Sequence, residues 1–200
     1  MQRTKINRVF IAGATGNQGG AVIDALLATE QPPEIHGLTR DSHTKAARAL
    51  SARGVRVVEG DLDERDMLTP LLEGIDAVFS VTNFWTSGYE RQVRQGKNLN
   101  RAAREAGVDV LVLSGVGSHD EDTGLPHFDS CDEIDRHVQK LGITNTVLKP
   151  VFFMQNFEPM AEDILEGSLA FPLAEGVSLQ MIDVKDVGRA AAQARREPDR

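Results

Sequence analysis

The amino-acid sequence predicts an α/β fold, a doubly wound parallel sheet with helices on both faces. Three observations point to it. Val9, Phe10 and Ile11 form an apolar run without polar alternation, as in a strand buried on both faces. Glycines follow at once, and beyond them Ala21, Val22, Ile23, Ala25, Leu26 and Leu27 repeat at helical spacing. Short apolar runs and amphipathic stretches then keep alternating along the chain with little padding, the pattern of βαβ units.

The junction of the first strand and helix is the most informative stretch. Gly13, Gly16 and Gly19 stand three apart, and each has a task at a pyrophosphate. Gly13 permits a tight turn, Gly16 lets backbone N–H groups approach the phosphates, and Gly19 lets the helix, expected from that residue onward, pack against the strand. The helix N-terminus offers unpaired N–H groups and a positive dipole end to the anion. Because G-x-x-G-x-x-G departs from the G-x-G-x-x-G fingerprint, the flanking strand and helix carry the assignment of dinucleotide binding.

Pro32 and Pro33 stop the first helix, and residues 35–39 read as strand two. Arg40 closes that strand where an acid commonly grips a ribose 2′-hydroxyl. A cation there suits a 2′-phosphate, with Lys45 and Arg48 adding to its field, which predicts NADP(H) with NAD the weaker ligand. Asp41 is the competing group, able to turn toward the ribose, and a solvated strand end is the plain alternative. A second helix is expected over 42–53 with Gly54 at C′, and strand three over 55–59. Beyond it, Asp61 can accept from an adenine amine and Leu62 can pack on the ring, while Asp61 or Asp63 can also cap the next helix. That helix is short, with Leu68, Leu71 and Leu72 inward and Pro70 making it irregular. Strand four spans 77–81.

Thr82, Asn83, Phe84 and Trp85 leave strand four at the carboxyl edge, where open α/β sheets bind ligands. Phe84, Trp85 and Tyr89 either wall a nicotinamide or substrate pocket or pack on the next helix. That helix, residues 89–106, carries Val93, Gly96, Leu99, Ala102, Ala103 and Ala106 on one side. Arg94, Lys97, Arg101 and Arg104 form a basic face that is solvated or docks an acidic partner. Residues 110–113 form strand five, and Ser114 at its end offers a hydroxyl to a cofactor or a substrate carbonyl. His119, Asp120, Glu121, Asp122 and His127 match no closed zinc set, so no metal site is assigned. Ser130 and Glu133 spell a capping box that starts a helix with Ile134, Val138 and Leu141 inward. Residues 146–150 read as strand six, leading into an apolar mouth that begins at Val151, Phe152 and Phe153. A helix through Ile164 and Leu165, a strand pair at 169–171 and 177–182, and a helix over 184–196 complete the chain.

Composition excludes several classes of function. The 200 residues, 40% hydrophobic, suffice for one sizeable core. Cys131, the only cysteine, precludes an internal disulfide and suits a reducing compartment, and no apolar run approaches membrane-spanning length. With a polar start over residues 1–8, these features predict a cytoplasmic protein without leader or membrane contact. A formal net charge of −8 disfavours direct nucleic-acid binding through bulk electrostatics.

Gly13-Ala14-Thr15-Gly16-Asn17-Gln18-Gly19, Leu38-Thr39-Arg40, Val81-Thr82-Asn83-Phe84-Trp85, His127-Phe128-Asp129-Ser130 and Leu148-Lys149-Pro150 together resemble the NmrA-like family of atypical short-chain dehydrogenases, over nearly the whole chain. The resemblance implies one Rossmann-type domain over residues 1–200 that binds NADP(H). About 152–200 would form a partial C-terminal substrate subdomain. In the family's pattern the turn from Gly13 through Thr15, Gly16, Asn17 and Gln18 to Gly19 holds the pyrophosphate, and Arg40 the 2′-phosphate. Thr82, Asn83 and Phe84 with Val151, Phe152 and Phe153 face the nicotinamide. Relatives usually continue further, which implies a shortened form or an open site whose apolar surface favours self-association. Monomer and homodimer both fit.

Two departures bear on activity. The family pattern often reads H-F-D-S-K, and Cys131 stands in the place of the lysine. The Tyr-x-x-x-Lys pair, in which lysine lowers the tyrosine pKa for proton transfer, is missing because Val93 lies four residues after Tyr89. No catalytic residue is therefore assigned. A thiol at a helix start can be activated, but Asp129, Asp132 and Glu133 disfavour a thiolate at Cys131. The expectation is a redox sensor or regulatory dinucleotide-binding protein with a protein partner. The alternative is an NAD(P)H-dependent oxidoreductase that reduces a quinone or similar small acceptor, the cofactor carrying the chemistry.

Overall fold

The computed structural model describes residues 6–116, 123–174 and 176–195. Its centre is a parallel sheet of β1 (Arg8–Ile11), β2 (Glu34–Thr39), β3 (Arg56–Glu59), β4 (Ala77–Ser80), β5 (Val110–Ser114) and β6 (Thr144–Leu148), in the order β3-β2-β1-β4-β5-β6. The chain builds outward from β1 to β3 and then returns to lay β4 on the other side of β1. That reversal opens a crevice above the carboxyl ends of β1 and β4.

Strand alternation divides the core between the two faces of the sheet. Phe10, Val78, Leu111 and Leu113 face α3 (Arg65–Leu71), α4 (Phe84–Glu105) and α5 (Pro126–Gln139). Val9, Ile11, Ala77, Phe79, Val110 and Val112 face α1 (Asn17–Leu27), α2 (Lys45–Ala52) and α7 (Val184–Ala194). Side chains of β1 and β4 are buried on both faces, apart from Arg8, which explains their unbroken apolar runs. Helices α1 and α7 approach so closely that a Cβ on Gly188 would lie 2.3 Å from the Ala21 carbonyl oxygen.

Several helix starts differ from the sequence reading, some through local capping and some because tertiary partners claimed the expected capping side chain. Helix α1 begins at Asn17 rather than at Gly19, with Gly16 as its N-cap. Helix α2 begins at Lys45 rather than Ser42, because Thr44 accepts from the Ala47 N–H. Neither Asp61 nor Asp63 caps α3, whose N-cap is Glu64 without a side-chain bond. Asp63 is drawn instead to α4. The Ser130/Glu133 capping box does not form, since α5 starts at Pro126, a residue suited to the first helical position, and both residues lie inside the helix. Ser130 donates to Gln92 Oε1 at 2.8 Å, and Glu133 accepts from Tyr89 and Lys97.

Helix α4 covers the expected 89–106 up to Glu105, with Ala106 as its C-cap, but has an additional turn before it, Phe84–Ser87, set off by Gly88 at φ 68°. On its basic side Arg94, Arg101 and Arg104 are exposed, as a solvated face requires, although several of its cations also have partners. Arg91 and Arg94 pair with Asp63, Lys97 with Glu133, and Arg104 donates to the Leu141 carbonyl.

After β6 the chain makes a small parallel pair, β7 (Phe152–Phe153) with β8 (Met181–Ile182), separated by a 3-10 turn over Met154–Met160 and the short α6 (Ala161–Leu165). No strand forms at 169–171. Phe171 instead packs its ring on Phe152 and Phe157, and only the last two residues of the expected 177–182 strand are extended in a ladder. Among the described residues no helix is long and apolar enough to cross a membrane.

Candidate functional site

At the crevice, the glycine turn is shaped by the close approach of β1, α1 and β4. The Ala12 N–H donates to Phe79 O at 3.0 Å, and Gly13 adopts φ +60°, where a Cβ would also stand 3.0 Å from Val81 Cγ1. A Cβ on Gly19 would lie 2.2 Å from the Gly13 oxygen, so only glycine lets the first turn of α1 sit over β1. At Gly16 the distance to the Gly13 oxygen is 3.3 Å, and its N–H is spent on that oxygen. The amides left facing out are those of Asn17, Gln18 and Gly19. No side chain caps them and no acid lies in the first turn, which makes this a fitting cradle for a phosphate.

Thr15 and Asn17 are exposed on the same turn, and Gln18 is half-buried. The Ser114 hydroxyl donates to Gln18 Oε1 at 2.6 Å, reaching from β5 across the end of β4. That bond, between residues 96 positions apart, has no signal in the sequence.

At the end of β2, Arg40 is exposed and makes no hydrogen bond or ion pair with the described residues. Asp41, the competing group, has its carboxylate occupied by the His43 N–H at 2.7 Å. Lys45 opens α2, five residues further along the chain, and Arg48 lies one turn on; both are exposed. Sequence reasoning missed Glu59, which stands opposite Thr39 in the ladder and accepts from the Ser42 N–H at 2.7 Å. Hydrogen bonding from Ser42, by its side chain first and its backbone N–H second, holds the Glu59 carboxyl below its ordinary range.

Beyond β3, Asp61 accepts from the Asp63 N–H at 3.0 Å, and Leu62 packs against the core between the sheet and α4. Asp63, also missed, receives Arg91 Nε at 2.6 Å, Arg94 Nη2 at 2.8 Å and Gln95 Nε2 at 3.0 Å. Burial works to raise its pKa, but the three donors outweigh it and hold the carboxyl low.

Thr82 and Asn83 lead from β4 into α4, where Asn83 Oδ1 accepts from the Trp85 N–H at 3.0 Å. Phe84 and Trp85 meet edge to face with centroids 5.4 Å apart, and each lies 5.2 Å from the His127 ring. Trp85 is nonetheless 79% exposed. Burial keeps the His127 imidazole below its ordinary pKa. Tyr89 leaves this aromatic group: its hydroxyl donates to Glu133 Oε2 at 2.7 Å, and the bond to a carboxylate pushes its pKa up to about 12. Burial likewise raises the Cys131 thiol to about 11.

Val151, Phe152 and Phe153 follow β6, which lies two strands from β4, and Phe152 and Phe153 form β7 of the separate two-stranded sheet. Phe152 is engaged with Phe157 and Phe171, while strand alternation turns Phe153 the other way. Residues Gly13 through Gly19, Arg40, Lys45, Asp61, Leu62, Thr82, Asn83 and Phe84 thus gather along one edge around the β1/β4 reversal. His119, Asp120, Glu121 and Asp122 lie outside the described residues.

Comparison with known proteins gives three findings. The model of the NmrA-like family matches residues 5–200. An NAD(P)H azoreductase of Xenophilus azovorans is 35% identical over 192 residues, covering 95% of this chain and 64% of that protein. Among solved structures, the NADPH complex of the quinone oxidoreductase QOR2 from Escherichia coli superposes with a TM-score of 0.81 at 26% identity, over 94% of this chain and 65% of that one. Triphenylmethane reductase of Citrobacter sp., complexed with NADP(H), gives 0.82 at 23% identity over 95% and 66%, a likeness of fold. The chain spans less than two thirds of the length of each of these relatives.

Proposed function

This chain belongs to the NmrA-like family, and from that premise we propose that it binds NADP(H) above β1 and β4 and delivers hydride to a small conjugated acceptor. The carrying observation is the uncapped N-terminus of α1 beneath a glycine turn that a Cβ would fill. Bound NADPH supplies the hydride, and the chain supplies position. The amides of Asn17, Gln18 and Gly19 hold the pyrophosphate, with Thr15 and the Gly13–Gly16 turn around it. Arg40, with Lys45 beside it, takes the 2′-phosphate, so NAD binds more weakly. Asp61 and Leu62 receive the adenine. Thr82, Asn83 and Phe84 form the near side of the nicotinamide pocket, and Val151, Phe152 and Phe153 the far side. Residues 152–200 belong, in this reading, to a substrate-side subdomain.

Among the described residues, no group at this edge is poised to protonate a carbonyl. Tyr89 is bound to Glu133 with its pKa raised to about 12, and the Cys131 thiol is buried and raised to about 11. Burial lowers the His127 pKa, which disfavours its protonated form. A quinone or azo acceptor, reduced by hydride with protons from water, suits such a site better than a simple ketone. The azoreductase and the quinone oxidoreductase among the relatives support the same choice. Cysteine usage supports a reducing compartment such as the cytoplasm.

Steady NADPH oxidation with a quinone and azo panel, absent with simple ketones, is the expected result. Tight NADPH binding without turnover on any acceptor would favour the second reading, a redox-sensing regulator with a protein partner, acting as monomer or homodimer. The lack of a poised proton donor is the observation behind that reading.

A further inference from the structure

One buried side chain joins the adenine-side loop to the acceptor-side turn. Gln95 is 8% exposed on α4. Its Nε2 donates to Asp63 Oδ2 at 3.0 Å, and its Oε1 accepts from Ser87 Oγ at 3.2 Å. The orientation of the amide is fixed chemically, because a carboxylate such as Asp63 can only accept. On one side, Arg91 and Arg94 grip the same carboxylate, and Asn98 Nδ2 donates to Leu62 O at 3.0 Å, so residues 61–63 are riveted to α4. On the other, Ser87 ends the turn that carries Phe84 and Trp85. Gly88, at φ 68°, separates that turn from the rest of the helix.

This arrangement has the parts of a coupled hinge. Gly88 is in the left-handed region, where glycine rotates at little cost. Bonds to Asn83 from the Trp85 N–H, the Thr86 hydroxyl and the Ser87 N–H hold the turn together, and two contacts tie it to other elements, the His127 ring against Phe84 and Trp85 and the Ser87 bond to Gln95. Only the second leads to the adenine side. We propose that Gln95 is a positioning residue that transmits occupancy of the Asp61–Leu62 corner to the Phe84–Trp85 turn, so that binding of the adenosine end orients the acceptor side. The proposal rests on the dinucleotide reading of the site.

Trp85 is the only tryptophan in the chain and reports on the turn directly. The probe is adenosine 2′,5′-bisphosphate, which carries the adenine and the 2′-phosphate but no nicotinamide. Calorimetry on the full chain measures binding of NADPH and of the probe, and Trp85 emission measures the response of the turn. The probe should shift Trp85 emission in the native chain. Gln95→Leu and Ser87→Ala should still bind it but lose the shift, and Ser87→Thr should restore it. Ser87→Ala decides alone if Gln95→Leu does not fold. The proposal is overturned if the probe binds the native chain without moving Trp85 emission, if the shift survives in Ser87→Ala, or if NADPH binds and the probe does not. If neither ligand binds, the dinucleotide reading itself fails and takes this inference with it.

Discussion

Arg40 and Asp41 are adjacent and oppositely charged, and the turn after β2 separates their roles. Asp41 bonds the His43 N–H, while Arg40 is left exposed. Replacing Arg40 by alanine should weaken NADPH by about tenfold or more, the value of a charge-assisted bond, and leave NADH unchanged in calorimetry. Equal losses for both cofactors would remove Arg40 from the 2′-phosphate site. Tyr89, the only tyrosine, makes a second test. Its folded pKa of about 12 lies above the ordinary 10.0, because the neutral hydroxyl donates to Glu133. That stabilisation is therefore complete below pH 10 and is lost as pH rises through the interval up to about 12. Phenolate absorbance should stay low past the ordinary midpoint in the native chain and move down toward it in Glu133→Gln. Arg40 was legible because the charge type at a strand end is local information. The Tyr89–Glu133 bond was not, since it joins residues 44 apart.

At the scale of elements, the first five strands of the main sheet were read closely, the sixth began two residues earlier than expected, and several helix starts and the strand pair near the end were not read correctly. An apolar run such as residues 77–80 has few ways to be buried, so it announces itself as a strand. A polar capping residue has alternatives. Ser130 and Glu133 match a capping box, yet they serve the α4–α5 contact through Gln92, Tyr89 and Lys97 while Pro126 starts the helix. Asp63 is the same case, taken from a cap by α4. The tight crossing of α1 and α7 was also invisible, because nothing in the sequence says which helix Gly188 will meet. Gly188→Ala would place a methyl 2.3 Å from the backbone oxygen of Ala21 and force the helices apart. Denaturant unfolding should detect a loss of about 1–3 kcal/mol. An unchanged midpoint would mean that α7 is not seated as described.

For the whole molecule, the reversal of strand order at β1 and β4 brings together residues that the chain keeps far apart. A ligand that binds only the folded chain raises its stability by mass action. NADPH at a hundred times its Kd should add about 2.7 kcal/mol and raise the unfolding temperature by about 5–10 °C, with a smaller rise in Arg40→Ala. No rise in the native chain would count against cofactor binding at this crevice. The sequence by itself determined the α/β class, the six strands, the glycine turn and the cation after β2, because each depends on neighbouring residues: backbone freedom, side-chain period and local charge. Only the tertiary structure decided that Ser114 reaches Gln18, that Asp63 and Gln95 tie the loop after β3 to α4, and that the Tyr89 hydroxyl is bound to Glu133 and the Cys131 thiol is buried. Those contacts exist only after the sheet has folded, because burial obliges each polar group to find a partner and the topology determines which partners lie within reach.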